Sequence, residues 1–125
     1  MQWLFVALGG ALGAMSRFAI TAYLYPIAGN RFPLGTLVVN ILGCVLVGAA
    51  YVLIIEKAVL SPYWRHLIMT GFLGALTTFS TFSLDALTLW QNGLHSVAVI
   101  YIVANVVLCL LAVAASWYLF HYMLS

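Results

Sequence analysis

Residues 71–82 read GFLGALTTFSTF, and the fold depends on how that stretch is carried through an apolar surrounding. Gly71 and Gly74 weaken a helix, and five hydroxyl residues then fall within the seven positions from Thr77 to Ser83. Serine and threonine in a helix bond back to the carbonyl four residues earlier and bend it, but a bend needs one such residue, not five. In a bilayer an interrupted helix survives only where its freed N–H and C=O groups are buried in protein or face a water-filled cavity. One new end then offers N–H donors to anions, the other carbonyls to cations. The stretch predicts a membrane span broken near its middle. Phe79 and Phe82, three apart, project in neighbouring directions on a helical frame, and the positive edge of a phenyl ring can face an anion.

The surrounding chain is apolar enough to make that argument apply. Of its 125 residues 66% are hydrophobic and 5% charged, with a mean hydropathy of +1.19, far from the composition of a water-soluble domain. The formal charge of +2 rests on Arg17, Arg31, Lys57 and Arg65 against Glu56 and Asp85, too few charges for a nucleic-acid footprint. The opening MQWLFVALGG lacks the basic region and cleavage site of a removable signal, so the first span is expected to start there. His66, His95 and His121 show no metal-ligand spacing. Cys44 and Cys109 lie inside apolar runs and read as small core residues. No nucleophile, base and oxyanion donor group together, so an enzyme is not expected.

Crossing about 30 Å of hydrocarbon takes about 20 apolar residues, and four such runs occur, at about 3–24, 34–55, 66–90 and 96–123. The expected fold is an all-α membrane protein: one four-span domain over 1–125, its third helix broken. The connections are YPIAGNRFP, punctuated by Pro26, Gly29, Asn30 and Pro33, then EKAVLSPYWR and QNGLHS. Four spans put Lys57 and Arg65 on one side and Arg31 on the other, close to a tie, whereas a fixed orientation depends on a clear excess of Lys and Arg on one side. Two readings stay open: a weak single orientation, or insertion both ways up. Four short helices cannot enclose a sizeable polar cavity, so transport implies an oligomer. A chain inserted both ways could build an antiparallel homodimer, matching the inverted halves of larger transporters.

Polar positions in the other spans form stripes. Gly9, Gly13 and Arg17 stand at i, i+4 and i+8, a close-approach face ending in a guanidinium that either snorkels and locks a helix pair or meets a ligand; Asp85 is its candidate counter-ion. Thr36, Asn40, Gly43, Cys44 and Gly48 share one face of the second span. Tyr101, Asn105, Cys109, Ala112 and Ser116 repeat the spacing in the fourth. A single stripe is interhelical glue; two look like a lined path, with the Asn40 amide as a donor.

GGALGAMSRF at 9–18, GTLVVN at 35–40 and GFLGALTTFSTF at 71–82, each in its own span, closely resemble the CrcB/Fluc family of bacterial fluoride channels over essentially the whole chain. The resemblance implies a dual-topology antiparallel homodimer with two pathways, exporting fluoride passively across the bacterial inner membrane. It implies that Phe79 and Phe82 are the rings beside the fluoride positions and Asn40 the amide donor. Ser80 and Thr81 would continue a hydroxyl track, Asp85 would stand where a Glu is often found, and Tyr101, Asn105 and Cys109 would occupy polar positions of the fourth span. Gly74 and Thr77 would give backbone carbonyls from both subunits to a structural sodium ion that is not transported. Ala75 replaces a glycine common among relatives. The rival reading, a small dual-topology multidrug antiporter coupled to protons, needs a carboxylate in the first span, where this chain has Arg17 and no acid. A non-transporting assembly subunit would use the stripes for helix contacts alone.

Overall fold

The apolar runs coil into helices because inside a membrane a helix satisfies every backbone group within its own segment. In a computed structural model, which describes residues 1–28 and 31–125, α1 spans Gln2–Ala28 and α2 spans Leu34–Ala50, continuing as a π-helical turn over Tyr51–Glu56. The third run opens as a π-helix over Arg65–Leu73 and tightens into α3, Gly74–Leu76. Then come α4, Phe79–Gln91, and α5, His95–Met123. Gly29 and Asn30 of the first connection lie outside the described residues. Among the described residues no strand occurs, and four helices, Gln2–Ile27, Leu34–Glu56, Arg65–Gln91 and His95–Met123, are long and apolar enough to cross a membrane. The turn between α4 and α5 closes on Gly93, whose φ of +80° suits glycine at a helix C-terminus.

Side-chain pairings set the order and direction of the helices. Gly9 and Gly13 lie on the backbone of Leu67, Gly71 and Phe72, so the first and third spans touch along the glycine face. On the opposite side the second and fourth spans run parallel in one register. Asn40 meets Asn105, Gly48 meets Val113 and Ser116, the Ser116 hydroxyl donates to the Val45 carbonyl, and Glu56 accepts from Trp117 Nε1 at 2.8 Å. His121 Nδ1 lies against the Glu56 carboxylate at the same end.

The second span is the most deeply buried of the four and serves two apolar clusters. Leu37 packs with Phe82, Leu89, Ala98 and Tyr101, while Val39, Ala50 and Ile54 pack with Leu73 and Leu76. The first cluster gathers on α4 and α5, the second on the chain before Thr77. The third run changes partners between them, and Asn40 stands at the change.

The expected neighbour of Arg17 needs correction. Asp85 does not pair with it: its carboxylate accepts from Thr36 Oγ1 at 2.9 Å and from Tyr101 Oη at 3.0 Å. The first span lies on the half of the third run before Thr77, whereas Asp85 lies on α4, which turns toward the second and fourth spans.

Candidate functional site

The helical path stops at Leu76 because the next two residues are extended: Thr77 has φ −85° and ψ 157°, and Thr78 has φ −151° and ψ 124°. Extended backbone in an apolar surrounding must find partners for its polar groups. The Asn40 side chain supplies two of them. Its Oδ1 accepts from the Thr78 N–H at 2.8 Å, and its Nδ2 donates to the Thr78 carbonyl at 3.2 Å and to Asn105 Oδ1 at 3.1 Å. Asn105 Nδ2 donates in turn to the Tyr101 carbonyl at 3.1 Å. Both donors of Asn40 and its acceptor are therefore engaged, and the amide works as a clamp across the gap.

The hydroxyls divide between structural and free roles. Thr77 donates to the Leu73 carbonyl at 3.0 Å and Ser83 to the Phe79 carbonyl at 2.9 Å, the back-bonding expected of such residues in a helix. Thr78 caps α4: its Oγ1 accepts from the Thr81 N–H at 3.1 Å and lies 3.2 Å from Ser80 Oγ. Removing that cap, Thr78→Ala, is expected to lower stability by about 1 kcal/mol, read as a shift in the denaturation midpoint of the purified protein.

These contacts also decide which carbonyls are left over. In a continuous helix the Gly74 carbonyl would take the Thr78 N–H, and the Thr77 carbonyl the Thr81 N–H. Here the first donor goes to Asn40 and the second to Thr78 Oγ1. Gly74 and Thr77 thus lose their helical donors, and Gly74 is exposed.

A groove of about 460 Å³ opens beside the gap, lined by Asn40, Thr77, Thr78, Phe79, Phe82 and Asn105 among others. Phe79 is 76% exposed and Phe82 only 8%, with ring centroids 5.4 Å apart. Phe82 is also 5.5 Å from the Tyr101 ring. One ring is thus fixed in the protein and the other stands at the open side of the groove. Past Phe82 the Thr36–Asp85–Tyr101 cluster borders a second recess of about 250 Å³ through Thr36 and Asp85.

The family profile described as "CrcB-like protein, Camphor Resistance (CrcB)" matches residues 4–117. The chain belongs to the CrcB family. Proteins named "Fluoride-specific ion channel FluC" from Saccharophagus degradans, Hahella chejuensis and Vibrio cholerae are 56%, 55% and 44% identical to it. Those alignments cover 91%, 89% and 97% of this chain and 85%, 87% and 94% of the relatives.

In this CrcB-family chain the structure gathers Asn40, Thr77, Phe79, Phe82 and Asn105 at one groove. Ser80 is exposed and Thr81 half-buried on the first turn of α4, and Tyr101 is buried behind Phe82. Arg17, Gly9 and Gly13 stand apart on the first span. Cys44 and Cys109, which composition reads as small core residues and spacing as members of the two stripes, are half-buried lining of the groove and not core, because each follows a groove asparagine by one helical turn. That i+4 relation was present in the sequence. Thr36 as a partner of Asp85 was not, since the pairing joins residues 49 positions apart.

Proposed function

We propose that this chain is one subunit of a passive fluoride channel of the bacterial inner membrane, working as an antiparallel dual-topology homodimer with a broken third helix. The observation that carries the reading is the extended Thr77–Thr78 segment clamped by Asn40 at the edge of a groove with Phe79 and Phe82 on its wall. The names of the relatives support it. The near tie of Lys and Arg between the loops supports insertion both ways up, and the exposure of Phe79 at the open side of the groove supports a second subunit there.

Fluoride is small and holds its water tightly, so a selective path must replace that water with compact donors. The N–H groups at the start of α4, the Thr81 and Ser80 hydroxyls and the edges of Phe79 and Phe82 are such donors. A full positive charge would hold the ion too tightly to release it. Asn40 donates to the ion only by exchanging one of its present acceptors for it, and Asn105 Oδ1 is the one that does not hold the gap. Tyr101 and Asp85 continue the polar line beyond Phe82. An interior-negative potential drives an anion outward by about 2.3 kcal/mol per 100 mV, so export needs no coupled proton or nucleotide.

The freed carbonyls of Gly74 and Thr77 suit a structural sodium ion. They are neutral oxygen donors at an unwound helix end, the kind that holds Na⁺ in membrane transporters, and the exposure of Gly74 lets a second subunit add its own pair. When bound, the ion supplies fixed positive charge between the subunits.

Fluoride efflux from liposomes containing the purified protein, driven by a potassium potential, tests the function. Flux without a proton gradient is expected; no fluoride flux removes the channel reading. Phe79→Ile and Phe82→Ile are each expected to cut flux by about two- to tenfold while the protein still runs as a dimer, since each loses a ring edge worth about 0.5–1.5 kcal/mol. Unchanged flux in both would leave the rings a packing role only.

A further inference from the structure

The two cysteines lie at one level of the parallel second and fourth spans. Cys44 follows Asn40 by four residues and Cys109 follows Asn105 by four, and the asparagines are joined at 3.1 Å. One turn further along each helix places the two thiols at the same level on the facing helices. Both are free thiols, and both line the groove with Thr77, Phe82 and Val106. None of the contacts that hold the gap uses them.

We propose that Cys44 and Cys109 together form a two-sulfur site for a thiophilic divalent cation of linear preference, mercuric ion above all, whose occupation closes the groove. Sulfur donors select soft cations, and the thiolate is the binding form. Two thiols release two protons and the cation brings two charges, so the S–Hg–S product is neutral. Inside a membrane a net charge is costly, and a monovalent silver or cuprous ion between the same sulfurs would leave one negative charge in an apolar wall. Cations that require four ligands of the His, Cys, Asp or Glu kind are not served: among the described residues no three such side chains come together.

The test titrates the purified protein with mercuric chloride. One mercury per chain is expected, retained against a monothiol and released by a dithiol. In Cys44→Ser or Cys109→Ser the remaining thiol binds alone, and the monothiol concentration that strips half the metal is expected to fall by about 100-fold, because the second sulfur no longer acts at high local concentration. Equal resistance to monothiol in wild type and both single variants would overturn the shared site. The claim that occupation closes the groove rests on the channel reading and is measured separately. Mercury should abolish fluoride flux in the wild type, a dithiol should restore it, and the double Ser variant should keep its own flux with the metal present. Tight two-thiol binding with undiminished wild-type flux would overturn closure alone, and the binding titration stands whether or not the protein transports fluoride.

Discussion

Asn40→Leu is expected to abolish fluoride flux, by at least about 100-fold, and to destabilise the protein in the same stroke. The leucine matches the amide in size but leaves the Thr78 N–H, the Thr78 carbonyl and Asn105 Oδ1 without the partners they have now. A buried polar group without a partner costs about 1–3 kcal/mol, and about 2.8 kcal/mol already corresponds to 100-fold. The extended segment then has a cheaper alternative, which is to coil up and join α3 to α4. That would return the Thr78 N–H to Gly74 and remove both the groove wall and the freed carbonyls. Asn105→Ala tests which part of the clamp matters. It removes one acceptor but leaves Asn40 on both backbone groups of Thr78, so the gap persists, and flux is expected to fall by less than about tenfold, close to one ordinary hydrogen bond in a membrane protein. Liposome efflux and the denaturation midpoint, measured on both variants, check the pair. Asn40→Leu with wild-type flux would mean that the extended segment is held by something other than this amide.

The coarse fold was legible because bilayer thickness acts on length and hydropathy, both of which are in the sequence: four apolar runs gave four helices. The stripes were legible for a related reason. Residues four apart share a helix face, so Asn40 with Cys44 and Asn105 with Cys109 could be aligned before any packing was known. Register between helices was not legible. Nothing local says that Thr36 and Tyr101 meet Asp85, or that the glycine face carrying Arg17 packs away from Asp85. Those facts follow from the third run changing partners at Thr77, which depends on two apolar clusters competing for the second span. The use of Asn40 was also hidden. An amide on a stripe of small residues reads as a free donor, and only the extended backbone opposite it shows that its donors and acceptor are committed. The π-helical turn over Arg65–Leu73 has no signal in the sequence that we can name beyond its closing glycines.

Gly13→Ala and Gly10→Ala are expected to move stability in opposite directions. Both replace a helical glycine, and in an open helix alanine is favoured over glycine by up to about 1 kcal/mol. At Gly10 nothing lies within 4 Å of the added carbon, so the gain survives and the variant should be as stable as the parent or more so. At Gly13 the same carbon would sit 2.1 Å from the Phe72 carbonyl oxygen and 3.1 Å from the Ala75 side chain. A backbone oxygen cannot rotate away, so the first and third spans must part, with a loss of about 1–3 kcal/mol. The displacement would reach the gap through Ala75, only two residues before Thr77, so flux should fall with stability at Gly13 and stay unchanged at Gly10. Gly9, whose added carbon would meet the Leu67 carbonyl oxygen at 2.1 Å, should behave like Gly13. Denaturation midpoints and efflux rates of the three variants decide the matter, and equal losses at Gly10 and Gly13 would mean that close approach to the third span is not what requires glycine on this face.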